Sequence, residues 1–260
     1  MNSIVCVKQT PDLQQVRIRK ETREPILENV PLTIGNIDKN ALEEAVRLKE
    51  KQEGKVTLVS VGGEDLEETI KEGLAMGADD AVLVVDPQLD GAESAVVAEM
   101  LAKAIRKIGD YDMILLGEGS SDNYSGQIGP RLAELLDLPQ VTFVRSLSVE
   151  GNLLRATRNM DDCLEVVEVE LPAVVTVLSE INEARIPAVT QILKAGRKPK
   201  EVLSLSDLGV SAASLGKQVR TLSNKAPLQE RKQIMFKEDA DAAVAKLVLA
   251  LKADGAVGGY

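Results

Sequence analysis

Four short apolar runs constrain this chain more than any other feature. Residues 4–8 (IVCVK), 55–61 (KVTLVSV), 80–86 (DAVLVVD) and 111–117 (YDMILLG) are almost unbroken in apolar side chains, and segments of helical periodicity separate them. A strand with one wet face alternates apolar and polar residues, whereas a strand that is apolar on both sides needs cover on both. The expectation is therefore an α/β fold: a parallel sheet with helices on both faces. The helical segments fit that cover. In 38–52, Ala41, Ala45 and Leu48 share one face with Leu42 and Val46 beside it. Asp38 is placed to cap the start of this helix and Gly54 its end. Residues 63–78 open with an acidic first turn, and 93–109 carry an apolar face through Val97, Met100 or Leu101, Ala104 or Ile105, and Ile108. A further helix is expected over 126–136.

The pattern then changes. Residues 16–30 read as a small hairpin excursion. The stretches QVTFVRSLSVEGNLLRATRN and CLEVVEVELPAVVTVLS alternate at period two around a turn at 150–152 and read as antiparallel strand additions. Beyond residue 179 regularity weakens, with one amphipathic segment over 187–195, an extended tail over 203–233 and a last helix near 238–252. That helix places Val244, Leu247, Val248 and Leu251 on one stripe, for packing on this chain or on a partner. The expected division is a nucleotide-binding α/β domain over 1–205 and a C-terminal arm with its helix over 206–260.

Composition removes whole classes of chemistry. The chain has no histidine, which excludes Ser-His-Asp and Cys-His catalysis and imidazole-ligated metal or haem. Its two cysteines, Cys6 and Cys163, are far apart and read as reduced, so no metal site is expected. A net charge of −10 argues against nucleic-acid binding. No apolar run approaches the ~20 residues of a membrane span, and the start MNSIVCVKQTPD has no signal-peptide pattern, so a cytoplasmic protein is expected. With aromatics at 2% and no tryptophan, the chain is suited to binding and positioning, the hard chemistry falling to a cofactor or a partner.

Ligands of open parallel sheets bind at the carboxyl ends of strands, so the loops there are the candidate site. The longest is LLGEGSSDNYSGQIGPRLAELL. It resembles a dinucleotide fingerprint but has Asp122 where the third glycine belongs, and the next strand lacks the terminal acid that would hold a ribose. Ser120, Ser121, Asp122, Ser125 and Gln127 precede a helix start, which suits a phosphate or, equally, a helix cap. Three other loops are weaker signals. VGGED (61–65) is similar to an ATP-pyrophosphatase loop without its serine, or is a plain turn; Lys8 meets a phosphate or lies solvated; Asp38 is a cap or a ribose contact.

Together VCVKQTPD, NALEEAVRLKE, AMGADDAVLV, LLGEGSSDNYSGQIGPRLAELLDLPQVT, LPAVVTV and INEARIPAVTQILKA resemble the β subunit of electron transfer flavoproteins over most of residues 1–210. The resemblance implies a domain of adenine-nucleotide α-hydrolase type, paired with an α subunit that carries the redox FAD. Its crevice implies AMP, held structurally, or a second FAD in electron-bifurcating members. Carried over by position, the crevice uses Val7, Lys8, Gln9, Asp38, Val61 and Gly62, and the loop residues Gly117, Gly119, Ser120, Asp122, Asn123, Ser125, Gly126, Gln127, Ile128 and Gly129. Leu13 falls near the shared flavin. INEARIPAVTQILKA matches the segment by which such proteins dock acyl-CoA-type dehydrogenases, with Arg185, Val189, Ile192 and Lys194 as docking residues. Valine stands where the family often has an anchoring leucine, and the D-G-D-T run of bifurcating members is lost although VKQTPD resembles theirs. The implied role is an electron carrier between such dehydrogenases and a quinone reductase or other acceptor, and not an enzyme in its own right. The alternatives of another class are an ATP-dependent ligase or pyrophosphatase, and a nucleotide sensor.

Overall fold

The computed structural model describes residues 1–211, 215, 219, 221–228 and 231–257. The chain begins with β1 (Ser3–Cys6), β2 (Gln9–Pro11), the two-residue strands β3 (Arg17–Ile18) and β4 (Pro25–Ile26), and β5 (Leu32–Ile34). Then follow α1 (Asn36–Gln52), β6 (Val56–Gly62), α2 (Leu66–Met76), β7 (Asp80–Val85), α3 (Ser94–Ile108), β8 (Met113–Gly117) and α4 (Ile128–Leu136). The second half holds β9 (Gln140–Glu150), β10 (Leu153–Asn159), β11 (Leu164–Glu170), β12 (Ala173–Val177), α5 (Val189–Ala195), β13 (Lys200–Leu203) and α6 (Ala240–Ala253).

One nine-stranded sheet runs β11-β10-β9-β12-β8-β1-β6-β7-β13. β1 lies parallel between β6 and β8, in register Ser3↔Val56 and Ser3↔Met113. Alternate side chains of each central strand point to opposite faces. Val5, Leu58, Met113 and Leu115 join α1 and α2 in one core. Ile4, Cys6, Val59, Ile114 and Leu116 join α3 and α4 in the other. This is the covered parallel sheet that unbroken apolar runs demand. Small antiparallel pairs, β2 with β5 and β3 with β4, form the excursion after β1.

Two expectations about the added strands need correction. β10 pairs antiparallel with β9 and β11, as the alternation predicts. β12, however, is parallel to both β8 and β9 and sits inside the sheet. Its five residues AVVTV are all buried, a continuous apolar run of the same kind as the first four strands. The second correction is β13, a parallel edge strand on β7 that lies in the stretch read as irregular. It is four residues long and flanked by lysines, below what periodicity detects. The amphipathic segment over 187–195 forms α5. Part of the 203–233 tail lies outside the described residues. No residue of α6 is buried, so its apolar stripe does not pack on this chain.

Candidate functional site

Chain order fixes where a ligand would enter. From β1 the sheet grows outward through β6 and β7, then the chain crosses back to β8 and β12 on the other side. The crevice at such a reversal lies between the carboxyl ends of β1 and β8. The expected loops meet there.

Asp38 sits at the base of this crevice, and its role differs from both sequence readings. α1 starts two residues earlier than expected, with Gly35 as N-cap, and no side chain caps it. The buried Asp38 carboxylate instead accepts from Lys8 N at 2.8 Å and Gly117 N at 3.0 Å, tying the ends of β1 and β8 together. A Cβ on Gly117 would stand 2.6 Å from Asp38 Oδ1, so glycine is required for this approach. Burial pushes the Asp38 carboxyl up to about 6, against the two backbone N–H bonds that favour the charge. With both oxygens engaged below the surface, Asp38 shapes the crevice floor.

Above it, Lys8 Nζ donates to Asp122 at 2.7 and 2.8 Å and to Ser120 Oγ at 3.3 Å. The ammonium thus bridges the β1 end to the 117–129 loop. Burial raises the Asp122 carboxyl, but the bonds from Lys8 and Ser120 outweigh it and hold the group below its ordinary value. Val7 is buried, its N–H bonded to Val59 and its carbonyl to Ser60 Oγ, so it contributes backbone only. Gln9 donates its amide to Thr69 Oγ1 of α2 at 2.7 Å. Val61 and Gly62 end β6 beside the first turn of α2.

The loop itself settles one alternative. No side chain caps α4: Gln127 occupies the cap position, but its Oε1 accepts from Ser94 Oγ and from the Arg131 guanidinium. Asp122 is committed to Lys8. The helix-cap reading is therefore not realised, and the first N–H groups of α4, at Ile128 and Gly129, open the helix without a side-chain acceptor. A helix end of this kind attracts an anion through its N–H groups and its dipole. Gly129 is needed for the packing, because a Cβ there would stand 2.3 Å from Thr176 Cγ2 of β12. Gly119 leaves room for the Tyr124 ring, and Gly126 adopts a left-handed φ of 62°. Asn123 and Ser125 are exposed on the outer turn of the loop.

Sequence reasoning missed Glu118. Its carboxylate is buried beneath the loop and accepts from Thr176 Oγ1 and from Phe143 N, a residue at φ 58°. It ties β8, β9 and β12 together where the loop begins. A charged residue directly after the buried run MILLG was the available signal.

The docking segment splits into an anchored part and a free face. Arg185 is engaged within the chain, its guanidinium bonding Glu43 and Glu50 of α1. Val189, Ile192 and Lys194 are exposed along α5. Leu13 is exposed in the excursion after β2. A polar cavity of about 170 Å³, lined by Ser3, Lys55, Thr57, Asp110 and Tyr111 among others, lies at the opposite end of the strands and shares no residue with the crevice. Among the described residues no acidic or cysteine cluster is arranged to hold a metal, and no helix is long and apolar enough to cross a membrane.

Comparison with known proteins converges on the same residues. The profile of the electron transfer flavoprotein domain matches residues 26–208. The electron transfer flavoprotein subunit beta of Thermoanaerobacterium thermosaccharolyticum is 40% identical over 252 residues, covering 95% of this chain and 96% of the relative. The subunit of that name from Bacillus subtilis is 35% identical over 259 residues, 99% of this chain and the whole of the relative. The caffeyl-CoA reductase-Etf complex subunit CarD of Acetobacterium woodii is 35% identical over 217 residues, 83% of this chain and of the relative.

Proposed function

The chain belongs to the electron transfer flavoprotein β-subunit family, and from that premise we propose that its crevice holds an adenine nucleotide as AMP. The chain would pair with an α subunit that carries the redox FAD, and the pair would move electrons from an acyl-CoA-type dehydrogenase to a quinone reductase or another acceptor. Family membership separates this reading from a ligase or pyrophosphatase and from a nucleotide sensor.

One observation carries the nucleotide assignment: the uncapped start of α4 and the Lys8 ammonium lie on the same loop at the sheet's topological switch point. The residues present fit a phosphate. Ile128 and Gly129 would offer backbone N–H groups, and Lys8 a cation already balanced by Asp122. Ser120, Ser125 and Gln127 border the loop with hydroxyl and amide groups, while Gly117, Gly119 and Gly126 keep its backbone clear of side chains. AMP bound there adds no redox chemistry and acts as a structural ligand. The absence of histidine suits such a role, since electron transfer depends on distance and potential and needs no general base. Residues 1–205 then form the nucleotide domain and 206–260 an arm for the α subunit, with Leu13 toward the shared flavin. The 181–195 segment, with Val189, Ile192 and Lys194, would receive the donor.

A second reading places a second FAD in the crevice, as in electron-bifurcating members. The relative named for a caffeyl-CoA reductase-Etf complex favours it. Nucleotide extraction from the denatured heterodimer decides between them. One FAD with one AMP supports simple transfer; two FAD without AMP supports bifurcation. A heterodimer that retains full FAD but releases no nucleotide from the β crevice overturns both.

A further inference from the structure

A seven-residue helix cannot hold its shape alone in water, because helix nucleation is costly and short segments are marginal. α5 is such a helix, and its buried residue is Ala195. Ile186 just before it is 94% exposed, and Val189, Ile192 and Leu193 face outward as well. Its pose must come from the ties at its two ends. Downstream, Lys198 Nζ donates to the carbonyls of Leu74 and Ala78 at the end of α2, and Lys200 pairs with Glu67.

Upstream the ties are to α1. Asn40 Nδ2 donates to the Asn182 carbonyl at 2.8 Å, and Asn182 Nδ2 returns a bond to the Asn40 carbonyl at 3.0 Å. Three residues on, Glu43 takes four bonds. Arg185 supplies three of them, from Nε (2.7 Å), Nη2 (3.2 Å) and its own backbone N–H (3.2 Å), and Arg47 Nε the fourth at 2.6 Å. Only 3% of Glu43 is exposed, whereas Glu50, the other partner of Arg185, stands at the surface. Burial pushes the Glu43 carboxyl up, but the bonds from Arg185 and Arg47 outweigh it and hold the group below its usual range. A planar guanidinium held by two carboxylates fixes orientation as well as distance.

We propose that Arg185 is a positioning residue for donor docking, which acts through the buried Glu43 to set the angle at which α5 presents its apolar row, and does not touch the donor. This rests on the docking role proposed above. The guanidinium closes the last tie before the chain leaves the surface, so its loss releases residues 186–195 from α1 while the crevice is untouched. The partner surface that fits is an apolar pocket for Ile186, Val189 and Ile192, with the charge of Arg185 already spent inside this chain.

The test uses the intact heterodimer with Arg185→Ala, Arg185→Lys, Glu43→Gln and Ile192→Asp. Amide hydrogen exchange over 181–195 is measured without donor, and electron transfer is measured from a medium-chain acyl-CoA dehydrogenase reduced by its acyl-CoA. Arg185→Ala and Glu43→Gln should each raise exchange over 181–195 about tenfold, leave 117–129 unchanged, and raise KM for the heterodimer with kcat retained. The double variant should be no worse than either single one, and Arg185→Lys should recover part of the loss. Ile192→Asp should raise KM without altering exchange. If Ile192→Asp leaves KM unchanged, the docking role itself is wrong. If Ile192→Asp raises KM but Arg185→Ala does so with unchanged exchange, or Glu43→Gln has no effect, Arg185 meets the donor directly and the positioning role is overturned.

Discussion

Asp38 shows how far a single side chain can depart from what its position in a sequence suggests. A carboxylate two residues into a helical pattern reads as a cap or a ligand, but here it fastens two strands that are 79 residues apart along the chain at their closest bond. Such a role depends on sheet order, which no local pattern contains. Glu118, under the phosphate loop, escaped notice for the same reason. Lys8 and Asp122 were legible as members of one crevice, yet their mutual bond was not. Asp38 also gives a pH prediction. Its folded pKa of about 6 exceeds the ordinary 3.8, so between those values the folded state binds more protons than the unfolded state. Stability contributed by the group therefore falls as pH rises through roughly 4 to 6. A difference of about 2 units corresponds to roughly 3 kcal/mol. Asp38→Asn should flatten that part of the urea-stability profile measured between pH 4.5 and 7.5, and a profile with its slope intact would remove Asp38 as the cause. For Lys8, loss of a charge-assisted bond to phosphate is worth about 1.5 kcal/mol, or roughly tenfold in affinity. Lys8→Ala should release nucleotide from the heterodimer at roughly tenfold lower dilution, read by extraction after gel filtration.

At the level of elements, burial on both faces was the readable signal. The runs at 4–8, 55–61, 80–86 and 111–117 became parallel strands because nothing but a doubly covered sheet accommodates them. β12 carries the same signal in AVVTV, but it follows the alternating LEVVEVE, and the longer stretch read as one antiparallel pattern. The boundary between the two periods was the information missed. α4 was placed within two residues, but whether its first turn was capped depended on what Gln127 and Asp122 bond elsewhere. The start of α4 can be close to the sheet only because position 129 lacks a Cβ. Gly129→Val would drive a branched side chain into Thr176 on β12 and displace the helix start from the crevice. Overpacking of this kind costs about 1–3 kcal/mol. The expected outcome is that loss of stability in urea unfolding together with loss of nucleotide, whereas Gly151→Ala in the β9–β10 turn should leave nucleotide content unchanged.

Across the whole molecule, the two ends of the chain follow different rules. The sheet domain satisfies its apolar surface internally, whereas α6 leaves Val244, Leu247, Val248 and Leu249 exposed. An apolar helix face of this size is unfavourable in water and marks an interaction site. A partner that covers it would gain about 1.5–3 kcal/mol for each such side chain fully buried. In the proposed heterodimer that partner is the α subunit. Leu247→Asp and Val248→Asp then become a test that separates folding from assembly. Both side chains are largely solvated in this chain alone, so the isolated subunit should change in stability by no more than about 0.5 kcal/mol. In the heterodimer each aspartate would be forced against an apolar surface without a partner, and burying such a charge costs several kcal/mol. Two such changes should lower the heterodimer's association constant by at least a hundredfold, measured by analytical ultracentrifugation, while the melting temperature of the lone subunit stays fixed. A melting temperature that falls along with association would mean that α6 packs on its own sheet in solution, and unchanged association would mean that the stripe meets some other molecule than the α subunit.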